Sequence, residues 1–140
     1  MKTRAVRVLL VAIVGVAAWC VGVGGAVGAP GDLDATFGGG DGIVTTVIGT
    51  GDDADAGAEA VAFDSEGRII VAGVAKNDGN RDFAVARYTS AGVLDTTFGT
   101  GGKVTTPVST GDDYGYAVAV DSQGRVVVAG ESHNGSNQDF

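Results

Sequence analysis

The phrase AVAFDSEGRIIVAG at residues 60–73 returns as AVAVDSQGRVVVAG at residues 117–130, with ten of fourteen letters unchanged. The four differences exchange like for like: Phe63 for Val120, Glu66 for Gln123, Ile69 for Val126 and Ile70 for Val127. A chain that writes one phrase twice builds one local structure twice, and stacking the copies buries the face that neither could bury alone. The duplication is wider than the phrase. LDATFG (33–38) returns as LDTTFG (94–99) after 61 positions, VTT (44–46) and GDD (51–53) return after 60, and NRDF (80–83) returns as NQDF (137–140) after 57. A spacing that drifts from 61 to 57 puts the length changes in loops.

Each copy carries strand periodicity. In AVAFD, Val61 and Phe63 alternate with Ala60 and Ala62, the two-residue period of a strand. RIIVAG is a continuous apolar run rich in β-branched residues, which suits a strand covered on both faces. DSEGR and DSQGR between them fit a short hairpin loop whose glycine, Gly67 or Gly124, takes positive φ. DFAVARY alternates again, and TSAG makes a second turn ending at Gly92. No segment beyond residue 30 shows a helical stripe, and 25 glycines in 140 residues discourage helices. The expectation is an all-β fold of β-propeller-type blades, four-stranded antiparallel units, in an incomplete array of fewer than two full blades. A sandwich also has many short strands but no reason to repeat its sequence.

The segments GVLDTTFGTGGKVTT, AVAVDSQGRVVVAG and DFAVARYTSAGVLD resemble the delta-60 repeat family of exported bacterial proteins. The similarity covers nearly everything after residue 30, with Asp34 and Phe37, then Asp95 and Phe98, at the motif positions of LDxTFG. The resemblance implies a propeller-like array and brings no activity or catalytic residue, because the family is defined by its repeats. The repeat copies span about 31–91 and 92–140, and the second stops two letters into DFAVARY. A propeller closes with about four to eight blades. The expectation is therefore a piece of a longer protein, or a chain that needs further repeats or copies to close a ring.

The first 28 residues read as a secretory signal peptide. Lys2, Arg4 and Arg7 precede an uncharged, mostly apolar stretch, and Ala26 and Gly28 offer small residues at −3 and −1 of a cleavage site. The uncharged stretch is also long enough for an uncleaved anchor. Both place the remainder outside the cytoplasm, secreted or at the cell surface. Cleavage would leave six basic against seventeen acidic side chains, a net charge of about −11, and no cysteine. So acidic a surface repels nucleic acid and anionic membranes.

Chemistry is sparse. The polar residues that recur in both copies are Asp64 with Asp121, Ser65 with Ser122, Arg68 with Arg125, and Asp82 with Asp139, which suits structural roles in turns. His133 is the single histidine; it aligns with Lys76 of the first copy and reads as a solvated loop residue. In GDDADAGAE (51–59), Asp53, Asp55 and Glu59 are hard oxygen ligands at near-alternate positions in what reads as a loop, a candidate calcium site without the spacing of a helix–loop–helix calcium motif. NGS at Asn134 matches a glycosylation acceptor. The expected function is that of an exported, non-catalytic repeat module that binds a protein or carbohydrate ligand or serves as a surface scaffold, without a cofactor. The alternative is part of a secreted propeller enzyme, a hydrolase or dehydrogenase, whose active site lies in blades not encoded here.

Overall fold

The computed structural model describes residues 8–11, 29–50 and 55–140. They form nine strands and no helix: β1 (Val8–Val11), β2 (Ile43–Thr46), β3 (Ala56–Phe63), β4 (Ile69–Asn77), β5 (Asn80–Tyr88), β6 (Lys103–Thr106), β7 (Asp113–Val120), β8 (Val126–His133) and β9 (Gln138–Asp139). All strand pairings are antiparallel. One sheet has the order β3-β4-β5-β6, the next β7-β8-β9, and β1 pairs with β2. The four-stranded unit straddles the sequence copies, taking β3, β4 and β5 from the first and β6 from the second. Apart from β1, the expected signal segment lies outside the described residues.

The turns close as the sequence requires. Asp64 Oδ1 accepts from the backbone of Glu66 and of Arg68, both at 2.9 Å, and Oδ2 accepts from Arg68 Nε at 2.6 Å. Gly67 sits at φ 73° and Gly124 at φ 78°. Asp121 repeats the set with Gln123 and Arg125. The β4–β5 turn is Asp78–Gly79 with φ 52° and 106°, the left-handed pair of a type I′ hairpin.

β4 is covered on both faces, as its unbroken apolar run implies. Ile69, Val71 and Ala75 join Ala84, Ala86 and Tyr88 of β5 under Phe37, Ile48 and Val44 from residues 29–50. Ile70 and Ala72, with Val85, face Phe98 and the β7–β8 residues Val118, Val120, Val126 and Val128. Tyr88 is fully buried, and its hydroxyl is 2.8 Å from Thr46 Oγ1 of β2.

A phrase written twice leads one to expect each copy to be the inner hairpin of a blade, set between the same neighbours, and this expectation needs correction. The duplicated hairpins do not face the same neighbours. Val118 and Val120 are half-buried against the first sheet, whereas their counterparts Val61 and Phe63 are 53% and 66% exposed. The reason is that residues 29–50, with Phe37, Val44 and Ile48, cover β4 and β5 on that side of the first sheet and leave Val61 and Phe63 of β3 uncovered.

Both copies bulge one residue into the first strand, between Ala58 and Ala60 and between Gly115 and Ala117. Opposite each bulge the backbones come so close that a Cβ on Gly73 would strike the Gly57 carbonyl, and one on Gly130 the Tyr114 carbonyl. This is why the phrase ends in VAG twice. Gly73→Ala is expected to lower the unfolding free energy by roughly 1–3 kcal/mol, the usual cost of forcing extra atoms into a packed site, as measured by urea denaturation.

Candidate functional site

Polar side chains converge where the β4–β5 turn meets the chain entering β7. Arg81 is the hub. Its Nη2 is 3.0 Å from Asp55 Oδ2, its Nη1 is 3.6 Å from Asp112 Oδ2, and its backbone amide donates to Asp112 Oδ1 at 2.9 Å. The hydrogen bond to Asp55, followed by the proximity of Tyr114, raises the Arg81 pKa further. The guanidinium is thus matched by carboxylates and does not offer an open anion site.

Two buried carboxylates behind this hub behave oppositely. Asp82 is 4% exposed; burial raises its pKa, against a 3.3 Å hydrogen bond from Asn77 Nδ2, and nearby carboxylates add to the rise. Asp113 is fully buried. Burial alone would raise its pKa, but donors from Ser132, from the Val108 amide at 2.8 Å, from the Ser109 amide at 3.2 Å and from Ser109 Oγ at 3.0 Å together hold it below the usual carboxylate range. Asp113 therefore pins the connection between the sheets to β7.

Beside them lies an aromatic surface. Tyr114 and Tyr116 stack with ring centroids 6.2 Å apart and planes 11° from parallel, and His133 meets Tyr114 edge-on at 6.4 Å. Tyr116 donates to Glu131 Oε1 at 2.6 Å, and this bond, with burial and neighbouring acidic charge, pushes its pKa up to about 12. Tyr116 is 49% exposed and His133 Nε2 lies 4.0 Å from Glu131. Such a surface offers flat apolar rings edged by hydrogen-bonding groups.

Of the candidate calcium ligands, Asp53 lies outside the described residues. Asp55 is paired with Arg81, and Glu59 is an exposed residue of β3 at its bulge rather than in a loop. Among the described residues no three histidine, cysteine, aspartate or glutamate side chains gather as a metal site would need. Asp139 repeats the Asp82 contact, accepting from Asn134 Nδ2 at 2.6 Å, and Asn134 itself caps the exposed turn into β9. Sequence reasoning missed the Arg81 hub and the two tyrosines. The repeated GDD was the available signal for Asp112 and Asp113, while Tyr114 and Tyr116 have no aromatic counterparts in the first copy, where Gly57 and Glu59 stand.

Residues 65–98 match a family model described as "Domain of unknown function (DUF5122) beta-propeller". The sheets are β-propeller blades. The match runs from the β3–β4 turn of the first blade through β5 to the LDTTFG motif. No curated protein and no solved structure matches the chain.

The two buried carboxylates give a pH test of this end of the blades. Because the folded pKa of Asp113 is depressed, its contribution is present above its unfolded value near 3.8 and is lost as pH falls through the lower folded value. Asp82 is raised, so its contribution is present below that value and is lost as pH rises through the folded pKa. At neutral pH, Asp113→Asn is expected to cost about 1–3 kcal/mol through unsatisfied donors, whereas Asp82→Asn is neutral or stabilising. Urea denaturation at pH 7 and again near pH 3 measures both; the Asp113→Asn deficit should shrink at the acid end.

Proposed function

We propose that this chain is an exported, non-catalytic propeller repeat module of the delta-60 kind that binds a ligand at the cell surface through the end of its blades bearing Tyr114 and Tyr116. The stacked, half-exposed tyrosine pair beside Glu131 and His133 carries this reading. A carbohydrate suits it best, since the C–H face of a sugar ring packs on an aromatic plane while carboxylate and imidazole take its hydroxyls. The other polar groups have structural work: Asp64 and Asp121 close turns, Asp34 and Asp95 hold Thr36 and Thr97, and Arg81 is matched by Asp55 and Asp112. The basic amino terminus, the apolar stretch after it and the small-residue exit support export.

The test is retention of the purified chain on immobilised cell-surface polysaccharide, beside turnover of chromogenic ester and glycoside substrates. Saturable retention that falls at least tenfold in Tyr116→Ala, with no turnover, is expected. Turnover that persists in Tyr116→Ala would favour the enzyme alternative. Calcium is not required by this function. Calorimetric titration with millimolar calcium is expected to give no binding heat, and a saturable heat removed by Asp55→Asn would restore Asp53, Asp55 and Glu59 as a metal site.

A further inference from the structure

A cleft of about 520 Å³ opens between residues 48–50 and the outer edge of the first blade, lined by Ile48, Thr50, Asn77, Thr100, Lys103 and Thr105 among others. That is the size of a small-molecule site. Register sets its floor: Lys103 and Thr105 of β6 stand opposite Ala86 and Ala84, on the face of the sheet that Ile48 covers. Lys103 Nζ donates to the Val47 carbonyl at 3.0 Å, the Thr50 amide to the Lys76 carbonyl at 3.2 Å, and Thr50 Oγ1 to Asn77 Oδ1 at 2.7 Å. These ties run to β4 and β6, and none of them needs residues 1–28. The repeat then separates what the fold requires from what it does not. Lys103 stands where β2 has Ile43, and Thr100 where the first copy has Gly39. The strand forms with an apolar residue at that place, so the lysine is not a requirement of the fold. Its charge is also set apart. Arg68, Arg81, Arg87 and Arg125 each have a carboxylate partner, whereas no carboxylate among the described residues lies within ion-pair distance of Lys103. The ammonium spends one donor on a neutral carbonyl and has two more to offer.

We infer that this cleft binds a small sugar acid, a uronate carrying one negative charge. The carboxylate pairs with the Lys103 ammonium, the Thr100 and Thr105 hydroxyls exchange hydrogen bonds with ring hydroxyls, and the C–H face of the ring rests against Ile48. One ammonium is a point charge and not the planar fork that favours phosphate. The net charge of −8 works against a more highly charged anion or a long polyanion. The cleft is separate from the Tyr114 and Tyr116 surface, and the inference stands whether or not that surface binds a ligand.

Titration of the full chain with D-glucuronate, followed by amide NMR shifts, tests it. Saturable shifts are expected at Thr50, Thr100, Lys103 and Thr105 and not at Tyr114 or Tyr116. D-glucose, which has the ring without the charge, and inorganic phosphate, which has charge without the ring, are each expected to bind roughly tenfold more weakly or worse. Lys103→Ile puts the first copy's residue at that place, and Lys103→Gln keeps a donor for the Val47 carbonyl. Each is expected to weaken glucuronate binding roughly tenfold or more with an unchanged β-sheet circular dichroism spectrum. Binding that survives both variants would overturn the proposal. Phosphate or glucose binding as tightly as glucuronate would overturn it too, by removing either the ring or the charge from recognition. The absence of any saturable shift at high millimolar glucuronate would also overturn it and leave Lys103 as a guard of the β6 edge.

Discussion

The structure depends on the two-sided burial of β4. Odd residues Ile69, Val71 and Ala75 pack under Phe37 and Ile48, while even residues Ile70 and Ala72 pack on the β7–β8 hairpin. A strand with one apolar face can rest on a single layer, but one apolar at every position needs a layer on each side. That requirement brings the segment around β2 to one face and the second blade to the other. It also sets the spacing. Only alanine and glycine among the opposing small residues let the sheets and the bulged first strands approach so closely.

The LDxTFG motif is the clamp that holds successive layers in place. Asp95 Oδ1 accepts from Thr97 and Oδ2 from Arg87 Nε at 2.8 Å, and the Arg87 guanidinium lies 4.7 Å above the Phe98 ring. Phe98 then packs toward the second blade. In the first copy Asp34 holds Thr36 likewise, and Phe37 lies over the Thr89–Gly92 turn, where any side chain on Gly92 would strike its ring. The aspartate fixes the turn, the turn aims the phenylalanine, and the phenylalanine fills the gap between sheets.

Much of this was legible in the sequence. The strands, the glycine turns, the turn-closing roles of Asp64 and Asp121 and the two-sided β4 follow from alternation, from positive-φ requirements, from the recurrence of these polar residues and from the apolar run. Asp78–Gly79 was an overlooked hairpin signal of the same class. What alternation could not reveal was which copy of a face would find a neighbour, because Val61 and Val118 are the same residue in the same phrase. Nor could it show that Arg81 gathers Asp55 and Asp112. Those three are brought together by sheet packing across positions 26 and 31 apart, and no local spacing encodes that.

The central claim is that burial on both faces, and not the shared phrase, decides local stability. Amide hydrogen exchange of the monomeric chain tests it most directly. The β4 amides of residues 70–72 should exchange only through the largest opening of the molecule, while residues 127–129 of β8, identical or nearly so in sequence but bare on one face, should exchange much faster. Equal protection in the two copies would contradict the account.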